Sequence, residues 1–266
     1  MKSLAVFVFT IFIPVLVFAA SLERPIETQS ITYKAGPLTM NGFLARPKDL
    51  KKKVPGILVV HEWWGQTDYP RKRAKMLAHL GYVAMAVDMY GGGRIADHPK
   101  TAGEFSSAVM RDAKIVGSRF KAAYNTLKTQ KDVDPKKIAA FGYCFGGSVV
   151  MEMGKQGLDL IGVVSFHGGL QTPTKAMPDR IKAEFLVFNG ANDKFVSPKA
   201  IAKFKQNMTA AHAKFKFENM AGSVHGFTNP KATEFGKKFK LPIAYNAEAD
   251  KKSWHEAQEF LKRIFR

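Results

Sequence analysis

Lys137-Ile138-Ala139-Ala140-Phe141-Gly142-Tyr143-Cys144-Phe145-Gly146-Gly147-Ser148-Val149-Val150 is the stretch that decides the fold. It reads as a short apolar strand (Ile138–Phe141), a sharp turn and the start of a helix. Gly142, Cys144 and Gly146 form a G-x-C-x-G pattern, a nucleophile elbow with cysteine where serine is more usual. The residue at the tip of such a turn is held in a strained backbone conformation. A Cβ on either flanking glycine would clash with the adjoining strand or helix. The turn would lift the Cys144 sulfur above the N-terminus of the following helix, where unpaired N–H groups and the helix dipole favour a thiolate. Taken alone, the pattern fits a small core cysteine between close-packed glycines equally well, so the surrounding chain has to decide.

Working outward, strand and helix patterns alternate. Residues 29–34 and 38–46 read as a β-hairpin turning at Ala35-Gly36-Pro37. Pro55–His61 is a continuous apolar run, as expected of a strand buried on both faces, and it stops at Glu62-Trp63-Trp64-Gly65. Arg71–Leu80 has helical spacing and closes at Gly81, and Tyr82–Val87 is the next buried strand. The stretch from about Gly103 to Lys131 is helical in pattern, with Asp132–Lys136 as a polar turn before the elbow strand. After the elbow, a helix is expected over Gly147–Gly154, and strands over Leu160–Phe166 and Glu184–Asn189. A helix capped by Ser197 should run to about Ala211, followed by an outer strand over Lys214–Glu218. Ala247–Phe265 is a final amphipathic helix with Trp254, Phe260, Leu261 and Ile264 inward. The pattern predicts an α/β fold: a mostly parallel central sheet with helices on both faces and an N-terminal β-hairpin. Residues 21–266 are expected to form one such domain, because no linker-like run or internal repeat divides them.

The first twenty residues have a different character. Lys2 precedes an almost unbroken apolar run, Leu4–Phe18, that ends in small residues. The run is shorter than the ~20 residues of a membrane span. It reads as a signal peptide cut after Ala19 or Ala20, an uncleaved anchor being the alternative. The expectation is a periplasmic or secreted protein with no stable membrane association after cleavage. One cysteine in 266 residues then leaves no intramolecular disulfide and a free thiol in an oxidising compartment, which suits a reagent better than a structural residue.

The net charge is +19, from 41 Lys and Arg against 22 Asp and Glu. The lysines are scattered (Lys51–Lys53, Lys136–Lys137, Lys237–Lys240, Lys251–Lys252) without interleaved aromatics, so a solvated basic surface is expected rather than a nucleic-acid interface. No His, Cys, Asp and Glu cluster has metal-ligand spacing, and Gly91–Gly93 lacks the Lys-Ser/Thr of a phosphate loop. No metal or cofactor is expected, and the glycine run reads as a flexible loop.

Acyl transfer by a thiol needs a nucleophile, an imidazole to move protons and a carboxylate to orient the imidazole. In an elbow fold they follow successive strands in the order nucleophile, acid, histidine. Cys144, Asp193 and His225 fit that order, 49 and then 32 residues apart. His61, His98, His167, His212 and His255 are weaker candidates, the strand-end pair His61 and His167 because they fall in the wrong order. The oxyanion hole is expected from the Phe145 N–H and the Trp63 N–H. Trp63 and Trp64 are pocket wall or core, one of them wall.

Together, His61-Glu62-Trp63-Trp64-Gly65, Asp88-Met89-Tyr90, Gly142-Tyr143-Cys144-Phe145-Gly146-Gly147, Gly190-Ala191-Asn192-Asp193 and His225-Gly226-Phe227 resemble the dienelactone hydrolase family over about residues 28–265. The resemblance implies an α/β-hydrolase fold with a Cys-His-Asp triad on Cys144, His225 and Asp193. It implies that Glu62 contacts the resting thiol and helps generate the thiolate. It also points to Tyr90, Trp64, Arg94 and Phe227 as substrate-binding residues. One departure stands out. Family members acting on dienelactone hold its carboxylate with arginines, one shortly after the catalytic histidine, whereas His225-Gly226-Phe227-Thr228-Asn229-Pro230 has none.

The leading expectation is a hydrolase opening a lactone or cleaving a small-molecule ester through an acyl-enzyme. Thioesters or other activated acyl compounds are the alternative substrates, and ligand binding without catalysis is the alternative use of the fold. Nothing in the sequence sets the oligomeric state.

Overall fold

The computed structural model describes residues 23–266, so the expected signal peptide over residues 1–20 lies outside the described residues. Eight strands form one sheet: β1 Ile26–Ala35, β2 Leu38–Pro47, β3 Val54–Val60, β4 Val83–Val87, β5 Val133–Tyr143, β6 Gly162–Phe166, β7 Glu184–Gly190 and β8 Phe215–Met220. Their spatial order is β1-β2-β4-β3-β5-β6-β7-β8. β1 pairs antiparallel with β2 and β2 antiparallel with β4, and every later pairing is parallel. The hairpin is tighter than the sequence suggested. Only Gly36 and Pro37 lie between its strands, and Gly36 takes a left-handed φ of 59°.

Seven helices cover the sheet: α1 Asp68–His79, α2 Pro99–Met110, α3 Ala113–Lys128, α4 Phe145–Lys155, α5 Pro198–Ala210, α6 Ala232–Phe239 and α7 Ala247–Ile264. The core forms two main layers, as a two-faced parallel sheet requires. One packs Phe120, Tyr124, Val149 and Met153 against Leu58, Ala140 and Val163. The other packs Leu77, Ala257, Phe260 and Leu261 against Ile57, Phe141 and Val164.

Three expectations are corrected. The helical stretch 103–131 is two helices. Asp112 takes extended backbone and its side chain accepts from the Lys114 N–H, so it caps α3 and ends continuity with α2. The polar turn at 132–136 instead begins β5, with a register shift against Pro55 and Gly56. The helix after the elbow starts at Phe145 rather than Gly147. Among the described residues no helix is long and apolar enough to cross a membrane.

Candidate active site

The sharp bend between β5 and α4 is built by steric exclusion. Cys144 has φ 54° and ψ −117°, a conformation L-residues rarely adopt. A Cβ at Gly142 would lie 2.0 Å from the Gly146 carbonyl oxygen, and one at Gly146 would lie 2.3 Å from the Val60 carbonyl oxygen. Both glycines are there because backbone passes where a side chain would stand.

The elbow is also held from behind. The Cys144 N–H donates to the Phe166 carbonyl at 3.0 Å and meets His167 Nδ1 at 3.1 Å. That contact makes Nδ1 an acceptor, so Nε2 carries the proton and donates to Thr228 Oγ1 at 2.8 Å. Burial, followed by the positive charges of His225 and Arg73, holds the His167 pKa well below its ordinary value. His167 is therefore a neutral strut under the Cys144 backbone. His61 is another: its Nδ1 donates to the Glu62 carbonyl, its Nε2 accepts from the Met89 N–H, and burial lowers its pKa to about 4.

The loops after β7 and β8 bring Asp193 and His225 together. Asp193 Oδ2 accepts from His225 Nδ1 at 2.8 Å, and Asp193 Oδ1 accepts from the Phe195 N–H at 2.8 Å. The Asp193 side chain is wholly buried and that of His225 is 12% exposed. Cys144 and His225 line the same cavity. Burial opposes a charge on His225. The attraction of a Cys144 thiolate and the hydrogen bonds from Asp193 and Cys144 outweigh it, raising the His225 pKa to about 10.

Glu62, at the end of β3, is 6% exposed and faces the same space. Its carboxylate accepts from Asn229 Nδ2. Its pKa rises to about 7 because burial outweighs the Asn229 hydrogen bond and the attraction of His225 and Arg73. Glu62 and Cys144 line the same cavity, and among the described residues the hydrogen-bond partner of the Glu62 carboxylate is Asn229. Neither the Phe145 N–H nor the Trp63 N–H donates within the described residues, so both are available to a developing oxyanion.

These groups open into a cavity of about 300 Å³. Trp63 and Trp64 both line it, so the expectation that only one would be wall is corrected. Phe145 and Asn229 line it too. Asn229 and Thr228 were missed by sequence reasoning. The only signal was an amide one turn after His225, in a loop where an arginine was being sought.

Three expected substrate contacts are placed elsewhere. Tyr90 is fully buried and donates its hydroxyl to the Trp63 carbonyl at 2.9 Å, supporting the wall from behind. Phe227 is fully buried in the core, edge-on to His167. The Arg94 guanidinium is occupied by the Tyr90 and Gly91 carbonyls and lies 4.8 Å over the Phe105 ring, off the cavity. The glycine run is a clamp rather than a free loop. Asp88 Oδ1 accepts from the Tyr90 and Gly91 N–H groups, and Oδ2 from those of Gly93 and Asn41. Among the described residues no group of three or more His, Cys, Asp or Glu could hold a metal ion.

Sequence and structure comparisons agree with this architecture. A family model described as the dienelactone hydrolase family matches residues 40–265. Protein usf of Aquifex pyrophilus is 28% identical over 82% of this chain and 94% of its own length. A putative carboxymethylenebutenolidase of Aquifex aeolicus is 25% identical, covering 88% of this chain and 97% of that protein. The crystal structure of a dienelactone hydrolase-like promiscuous phosphotriesterase from metagenomic libraries superposes with a TM-score of 0.83 at 27% identity, covering 91% of this chain and 99% of the other. The chain is an α/β-hydrolase and belongs to the dienelactone hydrolase family.

Proposed function

We propose that this protein hydrolyses a lactone or small carboxylic ester with Cys144 as nucleophile. The observation that carries the reading is that Cys144 and His225 line one cavity, with the buried Asp193 carboxylate 2.8 Å from the imidazole. The Cys144 thiolate attacks the ester carbonyl and forms a C–S bond. The oxyanion is held by the Phe145 and Trp63 N–H groups. Collapse breaks the C–O bond, and His225 gives its proton to the leaving oxygen. A water then loses a proton to His225, attacks the thioester and releases the acid, returning the thiolate. Asp193 holds the imidazole with Nδ1–H toward itself throughout, which keeps Nε2 for the proton transfers. Glu62, partly protonated near neutral pH, acts in this scheme as an acid–base neighbour of the reacting sulfur. No cofactor takes part.

Export is part of the same proposal, and it rests on the apolar run Leu4–Phe18 with small residues after it. The N-terminal residue of protein recovered from cells should be Ala20 or Ser21; an intact Met1 would contradict it.

The test is turnover of p-nitrophenyl esters, simple lactones and dienelactone by the wild type and by Cys144→Ala. Turnover lost by on the order of 10⁴-fold in a variant that melts normally is the expected result. Undiminished turnover by Cys144→Ala would remove the cysteine from the mechanism.

A further inference from the structure

Forty-one of the 266 residues are Lys or Arg, yet among the described residues none lines the cavity that holds Cys144. Lys194 and Lys231 adjoin the lining residues Phe195 and Ala232 in sequence but are not part of the wall. Arg94 is occupied by backbone carbonyls and the Phe105 ring. Among the described residues the one cation facing the cavity is the His225 imidazolium, and its charge is matched by the Asp193 carboxylate at 2.8 Å. Glu62 adds a carboxyl to the same wall. A carboxylate on the substrate would therefore lose its hydration, meet no compensating cation and lie near groups that are neutral or negative.

Most of the remaining wall is apolar, with Trp63, Trp64, Met110, Phe195, Phe235 and Ile243, and its polar members, Ser106, Ser107, Ser148 and Asn229, are uncharged. Phe195 is 58% exposed and packs edge-on to His225, 5.1 Å between ring centroids. An exposed aromatic at the rim is costly to leave in water and gains when an apolar group covers it. Trp64 stacks on Phe235 and Phe239, which fixes that side of the wall.

We propose that the site selects uncharged esters or lactones with an apolar substituent and discriminates against substrates that carry a carboxylate beside the reacting carbonyl. This rests on the hydrolase reading above and narrows it. The specificity comes from what surrounds the triad, chiefly the cation-free aromatic wall and the Glu62 carboxyl.

The test uses a matched pair, phenyl acetate and 4-acetoxybenzoate, with rates normalised to alkaline hydrolysis. The expected kcat/KM favours phenyl acetate by on the order of tenfold or more. A second reading needs no turnover: phenol and 4-hydroxybenzoate are compared as protectants of Cys144 against iodoacetamide, and phenol should protect at lower concentration. Ser107, exposed at the cavity mouth, is the site for a cation, and Ser107→Arg should narrow both gaps. Equal or better handling of the anion in either experiment would overturn the proposal, as would protection by neither compound. Absence of turnover with phenol still the better protectant would sink the hydrolase reading and leave the cavity preference standing.

Discussion

Behind the elbow, Arg73 is 4% exposed, donates to the Thr228 carbonyl at 2.8 Å and pairs with Asp250. Its guanidinium carbon lies 5.3, 5.4 and 5.3 Å from the ring centroids of Tyr69, Tyr143 and Trp254. In front of the elbow the cavity wall holds no Lys or Arg, and its carboxyl Glu62 is satisfied by a neutral amide. The rear charge is matched by a carboxylate and by aromatic faces, so it stays ionised at a fixed position. In front, burial lifts the Glu62 pKa to about 7, while the neighbours of His225 lift its pKa to about 10 and hold the imidazole protonated. One side fixes geometry and the other is left able to exchange protons. Thr228 and His167 join them: Arg73 holds the Thr228 carbonyl, Thr228 Oγ1 holds His167, and His167 holds the Cys144 N–H.

That contrast can be broken at either side, and the largest effect is expected in front. Asp193→Asn should lower kcat by on the order of 10³-fold while the protein stays folded, because the imidazole loses the partner that fixes its tautomer. Steady-state rates and a melting curve together separate the two effects. Behind the elbow, Arg73→Met leaves Asp250 and the Thr228 carbonyl without their cation. It should cost roughly 3 kcal/mol of stability, read by urea denaturation, while kcat of the remaining folded protein changes less than tenfold. A large fall in kcat without loss of stability would mean that Arg73 acts electrostatically on the front.

Glu62→Gln sharpens the comparison through pH. The folded protein raises the Glu62 pKa from 4.5 to about 7, so it binds a proton that the unfolded chain releases. The stabilisation that this provides is fully present below pH 4.5 and is lost as pH rises through 7. Above pH 7 the glutamine variant should be more stable than wild type, by up to about 3 kcal/mol, and the advantage should vanish at pH 4. Its kcat/KM profile should lose the inflection near pH 7. A profile identical to wild type would assign that inflection elsewhere. The smallest effect belongs to the joint: Thr228→Val leaves His167 Nε2–H unpaired and should cost about 1–2 kcal/mol with a severalfold fall in kcat.

Much of the front was legible in the sequence, and almost none of the rear. Cys144 and Asp193 each follow a strand that announces itself as an apolar run, and His225 follows the alternating outer strand, so chain order alone pointed to the three together. The glycines at 142 and 146 were legible because steric exclusion leaves few substitutes. Arg73 read as one of several basic residues on an amphipathic helix, and its partners stand 155 and 177 residues away. A pairing at that separation leaves no local pattern. His167 falls out of order for the acid–base role, and nothing in its sequence context hints at its hydrogen bonds to the Cys144 N–H and Thr228. The family resemblance places Tyr90 and Arg94 at the substrate. The four N–H groups that gather on Asp88 turn their loop back on itself instead.

The central claim, that Cys144 becomes acylated, is tested most directly by mass spectrometry of enzyme quenched during turnover of a p-nitrophenyl ester. Because Cys144 is the only cysteine in the chain, one peptide carries the answer. The account predicts an acyl mass on the Cys144 peptide that forms and decays with turnover and is absent from Cys144→Ala. Sustained turnover with that peptide unmodified at every time point would contradict it.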